Sequence, residues 1–493
     1  HLLRAADAVL EEWNRIKAED AAAEAEAAAA AAAAAQKQAA ELAAKHAKDV
    51  DSIPAEMFDF DLRPEYVALK EGLGRMEMTG PNVFFRPHES ITRSTTIMDG
   101  CEFLTFSNYN YIAMAGEPYV VGAAKNAVDK YGTTVSASRV AGGEKPLHRE
   151  LETAIANLIG VEDSIVMLGG HTTNVNTIGH LCGSEDVVLY DALAHNSIVQ
   201  GCILSGSKRV SFPHNDFAAL DNILTGIRMK YKRALIIIEG IYSVDGDIPN
   251  LPEFIQVKQK HKCLLMVDEA HSIGVLGARG AGIGEYHGVN PTDVDIWMGT
   301  LSKAFSSAGG YIAGKTSLVE YLKYTAPGFV FSVGMSPPNA AAALASIQLM
   351  LKEPERVSRC IARGKFFLEA AKVRGLDTGP SFDTPVVPIV IGNSFQCIRL
   401  SQALMKNHKI GVHPMVYPSV PEDGARLRFF VTAAHTEEHL LRAADAVLEE
   451  WNRIKAEDAA AEAEAAAAAA AAAQKQAAEL AAKHAKDVDS IPA

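Results

Sequence analysis

Short apolar segments rich in β-branched residues alternate with helix-like segments along the middle of this chain, and this alternation constrains the fold most. The apolar runs cover residues 164–168, 187–190, 234–239, 263–268, 296–298 and 310–313. Segments with helical spacing lie between them, for example residues 145–159, 174–180 and 251–261. Strands that alternate with helices predict an α/β fold, in which helices cover a mostly parallel sheet. Beyond residue 328, two helical segments and two strand-like runs indicate a smaller α+β domain.

The two ends of the chain carry the same sequence, because residues 1–55 recur letter for letter as residues 439–493. Either the chain is one unit of a tandem array plus an overlap, or the duplication is artificial. Each copy begins with an amphipathic helix and continues into an alanine-rich segment, which predicts a helical linker; a disordered tether is the alternative. The predicted organisation is a copied C-terminal helix (1–17), a helical linker (18–51), an N-terminal segment (52–114), a large domain (115–327), a small domain (328–455) and a second linker (456–493).

Composition excludes several classes of protein. The net charge of −13 disfavours contact with a phosphate backbone, so we expect no nucleic-acid partner. The six cysteines are scattered without a C-x-x-C pair, which predicts a reducing, cytoplasmic location and neither a disulfide scaffold nor a metal site. No apolar run reaches the roughly 18 residues of a membrane span, so none is expected.

Two short motifs suggest an ATPase. Residues 309–316 (GGYIAGKT) fit the phosphate-loop pattern, and residues 268–271 spell the DEAH box. A phosphate loop must be a bare turn between a strand and a helix, whereas residues 311–313 have the composition of a strand. The order of the two motifs along the chain is also reversed. A phosphate-loop ATPase is therefore only a distant alternative.

Four segments carry residue types that suit one catalytic site. Lys303 follows an apolar strand in a small, hydroxyl-rich turn, where loss of water favours a neutral, nucleophilic amine. Asp268 ends a buried strand, where α/β sheets place ligands, although such an acid can also cap the next helix. Residues 167–174 form a Gly/Thr turn that enters a helix and suits phosphate. His195 lies in a weakly polar loop, and a single loop histidine is more often structural than catalytic.

In their order and amino-acid sequence, these segments resemble the pyridoxal-phosphate-dependent α-oxoamine synthases, the family of 8-amino-7-oxononanoate synthase and serine palmitoyltransferase. Further matching segments are residues 106–115 (FSNYNYIAMA), 131–152, 238–247 (IEGIYSVDGD), 272–285 and 426–437. The resemblance spans residues 56–454. It implies a fold-type I enzyme with a mostly parallel seven-stranded sheet and an active site shared between the subunits of a homodimer. The amino-acid sequence of these segments is most similar to that of family members attached to polyketide-type synthases. This similarity implies an acyl carrier protein as partner.

The resemblance also implies a role for each site residue. Lys303 would form the Schiff base and take the Cα proton, and Asp268 would pair with the pyridinium nitrogen. His271 would hydrogen-bond the ring hydroxyl, and His195 would stack on the ring. The other implied cofactor-binding residues are Gly170, His171, Thr172, Ser243 and Thr300, with Ser332 and Ser336 as candidates for the phosphate of a neighbouring subunit. Arg428 would bind the substrate carboxylate, and Asn110 would orient it.

The reaction implied by this resemblance is a decarboxylative Claisen condensation. An α-amino acid and an acyl thioester, of either an acyl carrier protein or coenzyme A, would give an α-amino ketone, CO₂ and a free thiol. A transaminase or decarboxylase on the same fold is the alternative, and tandem copies that act as a scaffold are a third possibility. Two adjacent copies could also pair within one chain. No residue decides which amino acid or acyl chain is used.

Overall fold

The computed structural model describes the backbone of residues 2–488 and the side chains of residues 10–479. The chain divides into two compact units, the first ending at Met78 and the second beginning at Thr79. Among the helices of residues 2–488, none combines the length and apolar content that a membrane crossing requires. All six cysteines are free thiols.

The first unit is dominated by one long helix. Helix α1 (Leu2–Asp51) contains the alanine-rich segment, and it is followed by two 3₁₀ turns (Ala55–Met57 and Phe60–Leu62) and by α2 (Pro64–Glu77). Every described side chain of α1 is exposed. Because nothing there is buried, intrinsic helix propensity and ion pairs such as Arg15 with Glu19 stabilise this helix.

The second unit contains three sheets. Its strands are β1 (Thr95–Met98), β2 (Cys101–Thr105), β3 (Asp163–Met167), β4 (Val187–Asp191), β5 (Lys208–Phe212), β6 (Ala234–Glu239), β7 (Leu264–Asp268), β8 (Ile296–Thr300), β9 (Gly310–Gly314), β10 (Val386–Gly392), β11 (Ile410–Gly411), β12 (His413–Met415) and β13 (Ala425–Phe430). Its helices are α3 (Pro118–Tyr131), α4 (Pro146–Ile159), α5 (Gly170–Leu181), α6 (Asn196–Leu204), α7 (Phe217–Ile227), α8 (Leu251–His261), α9 (Ile283–His287), α10 (Thr316–Thr325), α11 (Pro327–Val330), α12 (Pro337–Lys352), α13 (Glu355–Val373), α14 (Ser394–His408) and α15 (Glu437–Val488).

The largest sheet has seven strands in the order β3-β9-β8-β7-β6-β4-β5. Strand β9 runs antiparallel to its two neighbours, and the other pairings are parallel. Every residue of β6 is buried, as expected for a parallel strand covered on both faces. The predicted α/β fold is therefore confirmed.

The apolar pattern finds six of these seven strands and misses β5. This strand (KRVSF) buries only Phe212 completely, because it lies at the edge of the sheet and pairs with β4 alone. An edge strand needs few apolar residues, so its sequence lacks the signal that marks the central strands.

The phosphate-loop match at residues 309–316 lies largely inside this sheet. Residues Gly310–Gly314 form β9, which pairs with β3 on one side and β8 on the other. Strand pairing occupies the backbone groups that a phosphate loop would need free. Lys315 is exposed at the start of α10. The ATPase interpretation thus has no structural basis at these residues.

The C-terminal part forms a smaller α+β layer. Strands β10, β13 and β12 make an antiparallel sheet, and α13, α14 and the first part of α15 share a core with it. The residues of α15 in that core are Leu440, Ala443, Ala444, Ala446, Val447 and Ile454. Downstream of Asp458, every described side chain of α15 is exposed.

The duplicated sequence provides a matched stability test. Ile454 is 1% exposed, whereas Ile16, its counterpart in the first copy, is 41% exposed. Ile454→Ala is expected to lower the free energy of unfolding by about 3 kcal/mol, because it leaves a cavity in a packed core. Ile16→Ala changes the same helical sequence without that cavity, so an effect below about 1 kcal/mol is expected. Chemical denaturation followed by circular dichroism measures both, and equal losses would contradict the packing described here.

Candidate active site

A cavity of about 800 Å³ opens at the carboxyl ends of the central strands. Glu239 ends β6, Asp268 ends β7 and Thr300 ends β8, and all three line it. Carboxyl ends of parallel strands are the usual place for ligands in α/β sheets. Other lining residues include Tyr109, Gly170, His171, Asn174, His195, Ser197, Ser243, Asp245, His271, Ser302, Lys303, Arg426 and Arg428.

Lys303 lies in the turn that connects β8 to β9. Burial lowers the pKa of its amine to about 8, although the carboxylates of Asp268 and Glu239 oppose this effect. Its Nζ is 5.6 Å from the centre of the Tyr109 ring. A lysine amine with a pKa near 8 has a far larger neutral fraction at neutral pH than an ordinary lysine, so Lys303 can act as a nucleophile and as a base.

Asp268 is 3% exposed and is held by two hydrogen bonds. The amide of Asn174 donates to its Oδ2 at 2.7 Å, and the backbone N–H of Ala270 donates to its Oδ1 at 2.9 Å. Next to it, burial and the Asp268 charge raise the pKa of Glu239 well above its usual value. Asp268 is therefore a fixed acid at the floor of the cavity, suited to hold a cationic nitrogen.

Three histidines line the cavity, and two of them, His195 and His271, hydrogen-bond neighbouring residues. His271 hydrogen-bonds the Tyr111 hydroxyl through Nδ1 at 2.8 Å and stacks on Phe430. Burial lowers the pKa of His271 well below its usual value. His195 caps the N-terminus of α6, where its side chain accepts a hydrogen bond from the backbone of Ser197. Burial also lowers the pKa of His195, so both rings are neutral.

The start of α5 supplies a site for an anion. The first intrahelical bond joins Thr173 N to Gly169 O, so the N–H groups of residues 170–172 precede it and stay available. A Cβ at Gly170 would lie 2.9 Å from Thr300 Oγ1, so only glycine permits this approach of helix and strand. Thr300 and Ser302 add two hydroxyl groups, which are 2.8 Å apart. Together these groups suit a phosphate.

Arg428 projects from β13 toward the cavity. One of its terminal nitrogens donates to the carbonyl of Ser243 at 3.1 Å, and its guanidinium lies 4.5 Å from the centre of the Phe430 ring. Its buried Nε has no partner among the described residues. Burial lowers the pKa of Arg428, yet arginine stays charged at neutral pH. A partly unsatisfied guanidinium in a cavity is suited to bind a carboxylate.

If the substrate is an α-amino acid, as the resemblance implies, replacing Arg428 with alanine should raise its KM by about 10- to 100-fold, because a charge-assisted hydrogen bond is worth about 1.5–3 kcal/mol. Steady-state kinetics with varied amino acid measures the effect. Arg426→Ala is a comparison two positions along the same strand, since Arg426 also lines the cavity but is already paired with Asp245. A larger KM change for Arg426→Ala than for Arg428→Ala would contradict the assignment.

Comparison with known proteins agrees with this geometry. The model of the family "Aminotransferase class I and II" matches residues 102–447. The chain is 36% identical over 390 residues to an 8-amino-7-oxononanoate synthase of Thermosipho melanesiensis, covering 79% of this chain and 98% of that protein. This chain belongs to the aminotransferase class I and II family.

Other members of this family include serine palmitoyltransferases. The chain is 38% identical over 354 residues to serine palmitoyltransferase 3 of Caenorhabditis elegans, which covers 69% of each protein. Among solved structures, the serine palmitoyltransferase of Sphingomonas wittichii superposes with a TM-score of 0.76 at 26% identity, covering 80% of this chain and 99% of that one. The resemblance found in the sequence is confirmed at the level of the family.

The cavity fits pyridoxal phosphate, the cofactor that the resemblance implies. An amine of lowered pKa, a buried carboxylate and an anion site at a helix start all line one cavity. Lys303, Asp268 and His271 would hold the pyridine ring system. The first turn of α5, with Thr300 and Ser302, would hold the phosphate. Each part of the cofactor therefore finds a chemically matched group in this aminotransferase-family chain.

Most predicted site residues meet at this cavity, but four do not line it. The Oδ1 of Asn110 accepts hydrogen bonds from Ser306 Oγ at 2.8 Å and Ala115 N at 3.1 Å, so this amide holds two loops together. Thr172 bonds back to the carbonyl of Gly169. Ser332 and Ser336 lie before α12, away from the lining. Roles of these four residues toward a ligand remain predictions.

One other cluster within the described residues has the composition of a metal site. His214, Asp245 and Asp247 place ligand atoms within 4.8 Å of one another. However, the two ring nitrogens of His214 already contact Asp191 and Asp247, each at 2.8 Å. Burial alone would lower the pKa of His214, but these two carboxylates raise this pKa to about 10. A cationic imidazole has no lone pair for a metal, so the cluster is an ion-pair network.

Sequence reasoning missed three residues of the site. Asn174 and Glu239 act through their neighbours Asp268 and His195, and Tyr109 lies beside Lys303. Glu239 ends a buried strand just as Asp268 does, so the same signal was present for it. Asn174 had no such signal, because an asparagine inside a helix is usually exposed.

Proposed function

We propose that this chain catalyses the decarboxylative condensation of an α-amino acid with an acyl thioester, with pyridoxal 5′-phosphate as cofactor. The Cα–carboxylate bond of the amino acid breaks, a bond from Cα to the acyl carbon forms, and the thiolate leaves and takes a proton. The products are an α-amino ketone, CO₂ and a free thiol. The observation that carries the proposal is the joint position of Lys303, Asp268 and Arg428 at one cavity of a family member related to such synthases.

Some residues of the cavity bind the substrate or the cofactor, and others transfer protons. Pyridoxal phosphate, when bound, supplies an electron sink for negative charge at Cα. Asp268 holds a proton on the ring nitrogen, because a fixed buried carboxylate stabilises the neighbouring cation. Lys303, with its pKa near 8, accepts a proton from the substrate Cα and can return one after CO₂ is lost. Arg428 binds the substrate carboxylate and thereby fixes its orientation.

The sheet and helices around the site exclude bulk water from these steps. His271 is 5% exposed and Asp268 is 3% exposed, so charges at the floor of the cavity act in a medium of low polarity. Electrostatic interactions are stronger in such a medium than in water. The Tyr109 ring also lies near the Lys303 amine, with its centre 5.6 Å from Nζ.

Several finer features belong to the same proposal. The acyl donor is a thioester of an acyl carrier protein, as in the polyketide-associated members that the sequence resembles. Two copies pair as a homodimer, or as adjacent units of one tandem chain, and Ser332 or Ser336 then contacts the phosphate held by the other copy. The free thiols and acidic surface agree with a cytoplasmic enzyme.

The direct test incubates the holoenzyme with a panel of amino acids, each with acyl carrier protein thioesters and acyl-coenzyme A of matched chain length. Mass spectrometry detects the amino ketone, and thiol release gives the rate. We expect product that depends on both substrates, with faster turnover of the carrier-protein thioester. Keto-acid formation without thioester would favour a transaminase, and a simple amine would favour a decarboxylase. Either result would overturn the proposal.

A further inference from the structure

Asn174 lies inside α5 and is only 1% exposed. Its amide nitrogen has two hydrogens, and each has an acceptor. One is donated to Asp268 Oδ2 at 2.7 Å and the other to Ser197 Oγ at 2.9 Å. The first acceptor is a carboxylate, which only accepts when ionised, so the nitrogen must face it. This amide thus has a fixed direction and connects two residues of the cavity.

The connection continues from Ser197 to His195. Ser197 Oγ accepts a bond from Asn174, so its own hydrogen is free to be donated to His195 Nδ1, which is 2.8 Å away. The backbone N–H of Ser197, which can only donate, also contacts Nδ1 at 3.2 Å. Two donors therefore converge on one ring nitrogen. Nδ1 must keep its lone pair, and the proton of the neutral ring lies on Nε2.

We propose that Asn174 and Ser197 are positioning residues that keep His195 neutral with its proton on Nε2, so that this N–H is a hydrogen-bond donor for a substrate oxygen. His195 lines the cavity, and its Nδ1 is committed to α6, so Nε2 is the nitrogen left for a substrate. This inference rests on the proposed function, since the acyl thioester brings the oxygen on which negative charge develops.

The chain of hydrogen bonds also ties two functional groups together. Asp268 and His195 belong to different elements, β7 and the start of α6, and Asn174 on α5 joins them. One amide thereby orients the carboxylate and sets the direction of the Ser197 hydroxyl. Loss of Asn174 would free both, whereas loss of the Ser197 hydroxyl would remove a donor to His195 and an acceptor for Asn174 but leave the bond from Asn174 to Asp268 in place.

Other charged groups near His195 also influence the protonation of its ring. Asp268 favours the cationic ring, whereas Lys303, His171 and Arg428 disfavour it. Glu239 accepts the backbone N–H of His195 at 2.6 Å. Substitution of Ser197 alters none of these groups. A shift in the titration of His195 in Ser197 variants can therefore be assigned to the hydroxyl.

The test is nitrogen NMR of holoenzyme labelled with ¹⁵N-histidine and recorded across pH, with His195 identified by its loss in His195→Gln. In the wild type we expect a neutral ring protonated on Nε2. In Ser197→Ala the midpoint of the His195 titration should rise by about one pH unit, because this variant lacks the Ser197 hydroxyl, a hydrogen-bond donor that favours the neutral ring. The acid limb of kcat/KM should move the same way. Asn174→Leu should raise the midpoint further, since Ser197 Oγ can then accept from a protonated ring.

Controls separate positioning from packing. Ser197→Thr keeps a hydroxyl and should restore the wild-type midpoint. Ser205→Ala removes a hydroxyl at the other end of α6, where it contacts the carbonyl of Cys202, and should leave the midpoint unchanged. A proton on Nδ1 in the wild type, or an unchanged midpoint in Ser197→Ala, overturns the inference even if Asn174→Leu fails to fold. The NMR result does not depend on turnover, so this inference and the proposed reaction can be disproved independently of each other.

Discussion

Replacing Lys303 with alanine is expected to lower turnover by at least about a thousandfold, the largest effect of any single change in this protein. The amine would serve two steps, since it binds the cofactor covalently and moves the Cα proton, and a positioned acid–base group alone contributes about 10²–10⁴-fold. Its lowered pKa of about 8 raises the fraction of neutral amine that can accept a proton. Product formation under saturating substrates measures the loss.

A second lysine provides the control for this experiment. Lys315 lies in the phosphate-loop match but is exposed and begins α10. Lys315→Ala should therefore retain nearly all activity. Borohydride reduction followed by peptide mass spectrometry should place the cofactor on Lys303 in the wild type and in Lys315→Ala. Turnover that survives in Lys303→Ala, or cofactor attached elsewhere, would refute the assignment of the nucleophile.

Replacing Asp268 with asparagine is expected to lower turnover by at least about a hundredfold while the protein keeps its cofactor. The substitution has nearly the same shape but removes the negative charge that would hold a proton on the ring nitrogen, so charge at Cα loses much of its stabilisation. Lys303 and the anion site at α5 are unchanged and should still bind the cofactor. Exchange of the amino-acid Cα proton in D₂O, measured without thioester, should slow in parallel.

Asp191 offers a matched comparison, because it also ends a buried strand of the same sheet. Its carboxylate contacts His214 instead of the cavity. Asp191→Asn should lower stability, since it weakens a buried ion pair, but should keep Cα exchange. Rapid exchange in Asp268→Asn would show that this acid does not support charge at Cα, and the mechanism proposed above would then be wrong.

Much of the architecture follows from local sequence. Each central strand is buried on both faces, so most of its residues before the carboxyl end are apolar, and this pattern is visible without any tertiary information. The strand ends then locate Asp268 and Thr300, because parallel strands end at a common edge. The edge strand β5 was missed for the same reason, since three of its five residues are exposed.

The candidate site shows where local sequence stops being informative. The resemblance implies that Asn110 orients the substrate, and this role stays a prediction; what the sequence does not reveal is that its Oδ1 accepts a hydrogen bond from Ser306, 196 positions away. The GGYIAGKT segment matches the sequence motif of a phosphate loop, but its backbone pairs with strands β3 and β8. In both cases the outcome depends on which distant segment supplies the partner.

The sequence by itself determined the α/β class, the family, and the residues that carry charge or nucleophilic atoms at the strand ends. Only the tertiary structure decided how those residues are held: Asn174 meets Asp268 across 94 positions of the chain, and Tyr111 meets His271 across 160. The physical reason is that burial produces a periodic signal along the chain, whereas a hydrogen bond between distant side chains depends on the packing of whole elements and leaves no local pattern.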